Sequence, residues 1–364
     1  MTKSGIQHFV VDNVFIPCKI GLPTGKYCEE SMTMRVKTLV ATNDTAYTNH
    51  ISGYISEHHA DTMEISVCNT VGHLREMLRT RRYDVALMDA QMIKEVDFDC
   101  VKLPMLLCSW QDTTGISIVP DKIRKHRRIS KTVSDVLEKY ATVSGNIDIS
   151  AERISKITAV WSPAGGVGKT TVALACCAAA ASKEKEVFYL NLESFSSISA
   201  YFAQDSKSIS AVFEMLENDT GNVGMFIQGI YSSESGIKYL CPPENFDDMC
   251  ILSADNVREL VSNCAGITDE LFIDLSSVCD GRTRQVFELS DRVLIVTDKS
   301  DTAQHKLTQF ITQSNVYESI KEKITLVANK GAGQTAAISQ EVLSLPYIDS
   351  MDTRFVYKAL ALHI

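Results

Sequence analysis

From Arg35 onward, short apolar runs alternate with stretches whose apolar residues recur every three or four positions, the two periodicities of strand and helix. VKTLVA, MEISV, DVALMD, LPMLLCS and GISIV read as strands, while YTNHISGYI, VGHLREMLRT and ISKTVSDVLEKYA carry helical spacing. Together they predict a small βαβα unit over residues 34–147. The polar, turn-rich TVSGNIDISAER marks a linker near 142–152. Over 148–364 the alternation resumes: ITAVWS runs into a glycine-rich loop and a helix, and EVFYLNL, LFIDL, RVLIVTD and ITLVANK follow as apolar strands separated by helical segments. Such alternation predicts an α/β fold built on a mostly parallel sheet covered on both faces. Residues 1–33, with PCKIGLPTGKYCEES and no sustained period, read as a leader arm or extension.

Composition narrows this picture. At 364 residues, 45% apolar and 22% charged, the chain has the makings of two well-cored domains rather than a disordered polymer. Its 11 cysteines form no C-x-x-C pair and stand at no zinc spacing with histidine, and Cys176 and Cys177 lie inside an Ala-rich helical run, so they read as reduced thiols packed in the core. Net charge is −9, and the acidic excess falls beyond residue 150, which argues against a surface built for nucleic-acid phosphates. The apolar stretch 172–181 is too short to span a bilayer, and no signal-peptide order opens the chain, so a cytoplasmic protein without membrane insertion is expected.

The chemistry concentrates in SPAGGVGKTT, Ser162–Thr171. Gly165, Gly166 and Gly168, with Val167 between them, let the backbone bring its N–H groups close to phosphate oxygens at the positive end of the following helix. Lys169 would reach the β- and γ-phosphates of ATP, the Thr170 hydroxyl would ligate Mg²⁺, and Thr171 completes the run. The plain alternative is a glycine turn with a solvated lysine. Downstream, ELFIDLSS ends an apolar strand in Asp274, the place for a carboxylate that meets the metal. VFYLNLESF sets Asn191 and Glu193 at the end of another strand.

In order and spacing, Ala164–Thr171, Asn191 to Glu193, Asp274, and Asn329 in LVANK resemble the ParA/MinD class of P-loop ATPases over residues 155–364. Two departures stand out. That class opens its loop with a lysine that crosses a dimer to the partner's phosphates, where this chain has Ala164; its second-strand motif is D-x-D, where this chain has Asn191 and Glu193. The resemblance implies that Lys169, Glu193 and Asn191 are the catalytic group, that Thr170 and Asp274 hold the metal, and that Asn329 and Pro346 of LPYID lie against the base. With the binding groups kept and the rate-promoting ones altered, it implies firm ATP binding and slow hydrolysis in a homodimer.

The first domain resembles a response-regulator receiver, a flavodoxin-like fold, with Asp89 at the phosphoacceptor place and Ser109 at the switch hydroxyl. The receiver's metal-binding acid pair falls on Thr42 and Asn43, with Asp44 one place late, and its lysine is out of register, Pro120 standing near the position. A pseudo-receiver used for docking is therefore expected. The basic run DKIRKHRRISK reads as a solvated face or as a docking surface. A receiver-like domain ahead of such an ATPase resembles the TadZ/CpaE family. That implies recruitment, at a cell pole, of Tad pilus-assembly proteins including a secretion ATPase. The alternative is a partition or division-site positioning ATPase, although RFVYKALALHI lacks the basic amphipathic character of a membrane-cycling terminus.

Overall fold

The computed structural model describes residues 35–94, 96–97, 99–108, 121–125, 127–144, 155–204, 207–218, 221–313, 315–332 and 342–364, all within one compact unit. The leader arm, most of the linker, Ser109, Pro120 and the run GISIV lie outside the described residues.

Among the described residues the first half carries five parallel strands: β1 (Val36–Ala41), β2 (Met63–Cys68), β3 (Tyr83–Asp89), β4 (Val101–Cys108) and β5 (Lys122–Arg124). Their order, β2-β1-β3-β4-β5, is the flavodoxin-like doubly wound arrangement. Helices Thr45–His58 and Ile129–Val143 share a core with Val40, Leu87 and Leu107, and Leu74 of helix Val71–Thr80 packs with Leu39 and Ala86. Connections between parallel strands must cross over, and this order reverses direction between β1 and β3, leaving a crevice where both strands end.

The second sheet contains β6 (Lys156–Trp161), β7 (Val187–Leu192), β8 (Ser232–Glu234), β9 (Ile237–Tyr239), β10 (Glu270–Leu275), β11 (Arg292–Thr297), β12 (Ile324–Ala328) and β13 (Val342–Ser344). Their order is β13-β12-β11-β6-β10-β7-β9-β8, parallel except for the β8–β9 hairpin. β6, β7, β10, β11 and β12 are apolar and buried almost throughout because helices cover both faces. The hairpin was hidden from the apolar pattern: its strands are three residues each, and Ser235 and Gly236 turn it with φ of +55° and +77°. β6 lies between β11 and β10, so whatever follows β6 emerges at the centre of the sheet, at its switch point.

The two halves meet through helix Ile129–Val143 and helix Val223–Ile230, both of which contribute to one apolar cluster. Gly229 permits the close approach: a Cβ there would stand 3.0 Å from Glu138 N and from Ser134 O. Asn222 N donates to Ala141 O at 2.9 Å, the Thr62 hydroxyl meets Gln228 Oε1 at 2.5 Å, and Lys207 pairs with Glu138. The face of helix Ile129–Val143 that carries Val133, Val136, Leu137 and Ala141 is buried within the chain.

His59, after the helix Thr45–His58, is pushed down to about 4, first by burial and then by the positive charges of His58 and of Lys238 on β9. An unfolded histidine binds protons near pH 6.5, whereas this one stays neutral in the fold, so between those values the unfolded state takes up more protons. Stability should therefore fall as pH drops from 6.5 towards 4, by about 2 kcal/mol at pH 5. Urea unfolding at pH 7 and pH 5 checks this: His59→Gln should flatten the wild-type difference, and an unchanged difference would refute it.

Candidate functional site

The loop after β6 is shaped by two glycines in the left-handed region, Gly166 at φ +76° and Gly168 at φ +92°. Gly168 caps helix Lys169–Ala181, whose alanines favour helix and whose buried residues run all round it, as befits a helix enclosed in the domain. Its N–H groups open toward the loop and give the amino end its positive character. Lys169, in the first turn, is 8% exposed, a burial that a lysine tolerates only with partners. Its Nζ lies 3.3 Å from Ser277 Oγ and 3.6 Å from Glu193 Oε1, and the Thr170 hydroxyl donates to Glu193 Oε2 at 3.4 Å. Ser277 in turn donates to Ala164 O at 3.1 Å. The loop, β7 and the segment after β10 thus converge on one ammonium group.

Asp274 on β10 is fully buried. Tyr189 donates its hydroxyl to Asp274 Oδ2 at 2.8 Å, and Asn191 Nδ2 reaches both that hydroxyl, at 2.9 Å, and Oδ2, at 3.3 Å. β7 and β10 are paired in parallel with Asp274 directly across from Asn191, and this register makes the network possible. Burial pushes the Asp274 carboxyl up to about 7, with Glu193 adding repulsion, while Thr170, Tyr189 and Lys169 pull the other way. Tyr189 is held well above its usual range by burial, so it remains a donor. Asn191 also accepts from the N–H of Glu193 at 3.1 Å and so fixes the backbone that presents that carboxylate.

Asp274 Oδ1 is buried without a hydrogen-bond partner. An orphaned carboxylate oxygen near the opening turn of a helix, with a threonine hydroxyl and a second carboxylate close by, is a hard-oxygen set that fits Mg²⁺.

On the loop's other side, Asn329 Nδ2 donates to Val167 O at 2.9 Å and Lys330 Nζ to Gly166 O at 2.6 Å. Lys330 sits in the left-handed region at φ +56° and pairs with Asp298 at 3.1 Å. A Cβ on Gly168 would stand 2.5 Å from Asn329 Nδ2, so glycine is required there on two counts. Asn329 thus braces the loop, a role that the sequence did not give it. The segment with Pro346 runs alongside: Gly331 N donates to Leu345 O at 2.9 Å and Leu345 N to Ala328 O at 2.8 Å. The structure therefore gathers Gly165–Thr171, Asn191, Glu193, Asp274, Asn329 and the Pro346 segment at the carboxyl ends of the central strands. Ser277, Tyr189 and Lys330 join them; nothing in their residue types or spacing marked them in advance.

A second polar cluster occupies the crevice of the first sheet. Lys125, 8% exposed, donates to Thr42 Oγ1 at 2.7 Å and lies 3.3 Å from Asp89 Oδ2 and 3.6 Å from Asp44 Oδ2. The Thr42 hydroxyl also bonds Asp89. This corrects the reading that no lysine is in register. The strand beside β4 is KIR, Lys122–Arg124, and Lys125 follows it directly; its outer residues are exposed and one isoleucine faces in, a pattern too short for periodicity to catch. Asp44, displaced by one place in sequence, caps helix Thr45–His58 by accepting from Tyr47 N at 3.0 Å. Of the basic run, Lys125 is buried here and Arg127 is paired with Asp135.

Residues 158–335 match the family model of the CobQ/CobB/MinD/ParA nucleotide binding domain. No curated protein matches the chain by sequence. Among solved structures it is similar to a ParA family ATPase from Chlorobium tepidum, at 14% identity, covering 58% of this chain and 100% of that one with a TM-score of 0.48. It is similar also to the septum site-determining protein MinD of Pyrococcus horikoshii, solved with Mg-ADP, at 14% identity over 57% and 95% of the two chains and a TM-score of 0.45. A third is cobyrinic acid a,c-diamide synthase from Mycobacterium smegmatis, solved with an ATP analogue and magnesium, at 18% identity over 57% and 93% with a TM-score of 0.43. The family match begins on β6 and leaves the first sheet outside it.

Proposed function

We propose that this protein binds ATP with Mg²⁺ at the loop Gly165–Thr171 and uses the bound state to recruit other proteins, hydrolysing the nucleotide slowly. The observation that carries the reading is the buried ammonium of Lys169 at the mouth of a positively polarised helix end, set beside the orphaned Oδ1 of Asp274. Lys169 and the loop N–H groups bind phosphate oxygens, Thr170 and Asp274 hold the metal, and the Pro346 segment with Asn329 flanks the base. Mg²⁺ when bound neutralises phosphate charge.

Slow turnover follows from the groups that stand where charge and water would be managed. Ala164 is 4% exposed and packed in the core, so it offers no cation to a neighbouring copy. Asn191 is committed to Asp274 and Tyr189. Transition-state cations contribute several powers of ten in rate to phosphoryl transfer while changing ground-state binding little.

The resemblance to the TadZ/CpaE family supplies the finer part of the proposal: a dimer near a cell pole that gathers Tad pilus-assembly proteins, a secretion ATPase among them, with the first half as docking module. Thr42 and Asn43 fit this use, since they stand where a receiver has the acid pair that holds its metal. No described helix is long and apolar enough to cross a membrane. Single-turnover hydrolysis and equilibrium ATP binding test the reading together. Micromolar affinity with turnover slower than about one per minute is expected, and Ala164→Lys should raise turnover about tenfold or more at similar affinity. Fast wild-type hydrolysis would refute it.

A further inference from the structure

Glu193 touches both groups that the nucleotide needs. Its Oε1 lies 3.6 Å from Lys169 Nζ and its Oε2 accepts from the Thr170 hydroxyl at 3.4 Å, so a single carboxylate spans the phosphate-binding cation and the metal-binding hydroxyl. Its side chain is 18% exposed and that of Lys169 is 9% exposed, so the pair is little weakened by solvent. The backbone behind it is fixed by the bond from Glu193 N to Asn191 Oδ1, and Asn191 is in turn held by Tyr189 and Asp274. The carboxylate also stands close enough to repel Asp274, so its position is kept by Lys169 and Thr170 against an unfavourable neighbour.

We infer that Glu193 is an internal competitor for the nucleotide: its carboxylate stands in for a phosphate at Lys169 and Thr170, and binding requires its displacement. This rests on the nucleotide-site reading above. An anion that neutralises Lys169 lowers the gain available to any phosphate that replaces it. Magnesium reverses part of the effect, because a displaced carboxylate beside a divalent cation changes from rival to neighbour of like purpose. Reach matters as well as charge. The two contacts lie at the outer limit of such interactions, so an aspartate, one methylene shorter, cannot make both.

The test is equilibrium titration of the full chain with fluorescent ADP, with excess EDTA and with Mg²⁺, for wild type, Glu193→Gln and Glu193→Asp. With EDTA, Glu193→Gln should bind about tenfold more tightly than wild type, and Glu193→Asp should share most of that gain. With Mg²⁺ the gain should shrink to less than about threefold. Equal or weaker metal-free binding by Glu193→Gln, or wild-type affinity in Glu193→Asp, overturns the competitor role while leaving the nucleotide site standing. If neither wild type nor variants bind in any condition, the site reading itself is overturned, and this inference with it. Melting of each variant without nucleotide separates a folding defect from a change in binding: a Glu193→Gln chain that is folded and gains nothing refutes the proposal.

Discussion

Lys169→Ala should lose ATP binding by a factor of more than about one hundred, with the fold intact. Alanine is the best helix former, and the position opens an Ala-rich helix, so the backbone has no reason to move. What disappears is the ammonium that Glu193 and Ser277 hold in place. Its loss acts twice. Phosphate oxygens lose a charge-assisted donor in a site with little solvent, and Glu193 is left beside Asp274 with no cation to balance either carboxylate. The variant should therefore repel a polyanion as well as fail to attract it. Calorimetric titration measures the affinity, and far-ultraviolet circular dichroism confirms the fold. Binding within tenfold of wild type would mean that the nucleotide, if taken, is not held at this loop.

The parts of this site that were legible in sequence are those whose chemistry is set by neighbours in the chain. The glycine loop is readable because three glycines, a lysine and a threonine must be contiguous to wrap a phosphate, and Asp274 because a carboxylate ending an apolar strand stands out. Tyr189 was not legible: it is one apolar-looking residue in a buried strand, and only the register of β7 against β10 brings its hydroxyl to Asp274. Ser277 and Lys330 meet the loop from the segments after β10 and β12, distant in the chain, and a serine in a turn carries no signal. Asn329 was expected against the base; its amide is bonded to Val167 O, a backbone partner that no spacing reveals.

The fold was legible in proportion to strand length. Strands of five or more residues declared themselves, while β5, β8, β9 and β13 are three residues long and lie toward sheet edges. Missing β5 led directly to missing Lys125, since the end of a strand defines where the crevice lies. Reading the strand as GISIV placed that end on Pro120. The joint between the halves was silent for another reason: it depends on the absence of side chains.

Two glycines permit the close approach at that joint, and enlarging either should lower stability. Gly221 has φ +73°, and a Cβ there would fall on Ala141 O, which is the acceptor for Asn222 N. Gly221→Val combines a strained β-branched residue in the left-handed region with a clash against a backbone oxygen that cannot rotate away, and it breaks that hydrogen bond. A loss of about 3 kcal/mol is expected in urea unfolding. Gly229→Leu should wedge apart helices Ile129–Val143 and Val223–Ile230, where even a Cβ meets Glu138 N and Ser134 O at 3.0 Å, with a loss on the order of 2 kcal/mol. Neither residue touches the nucleotide loop, Asp274 or Glu193 in any hydrogen bond or ion pair, so ATP affinity should stay within about twofold of wild type in the folded fraction. Because the first half is proposed to dock partners, loosening it should impair recruitment while binding survives, the converse of Lys169→Ala. A matching fall in ATP affinity would show that the halves are energetically coupled through this joint, and a rigid docking platform would have to give way to one whose orientation responds to nucleotide.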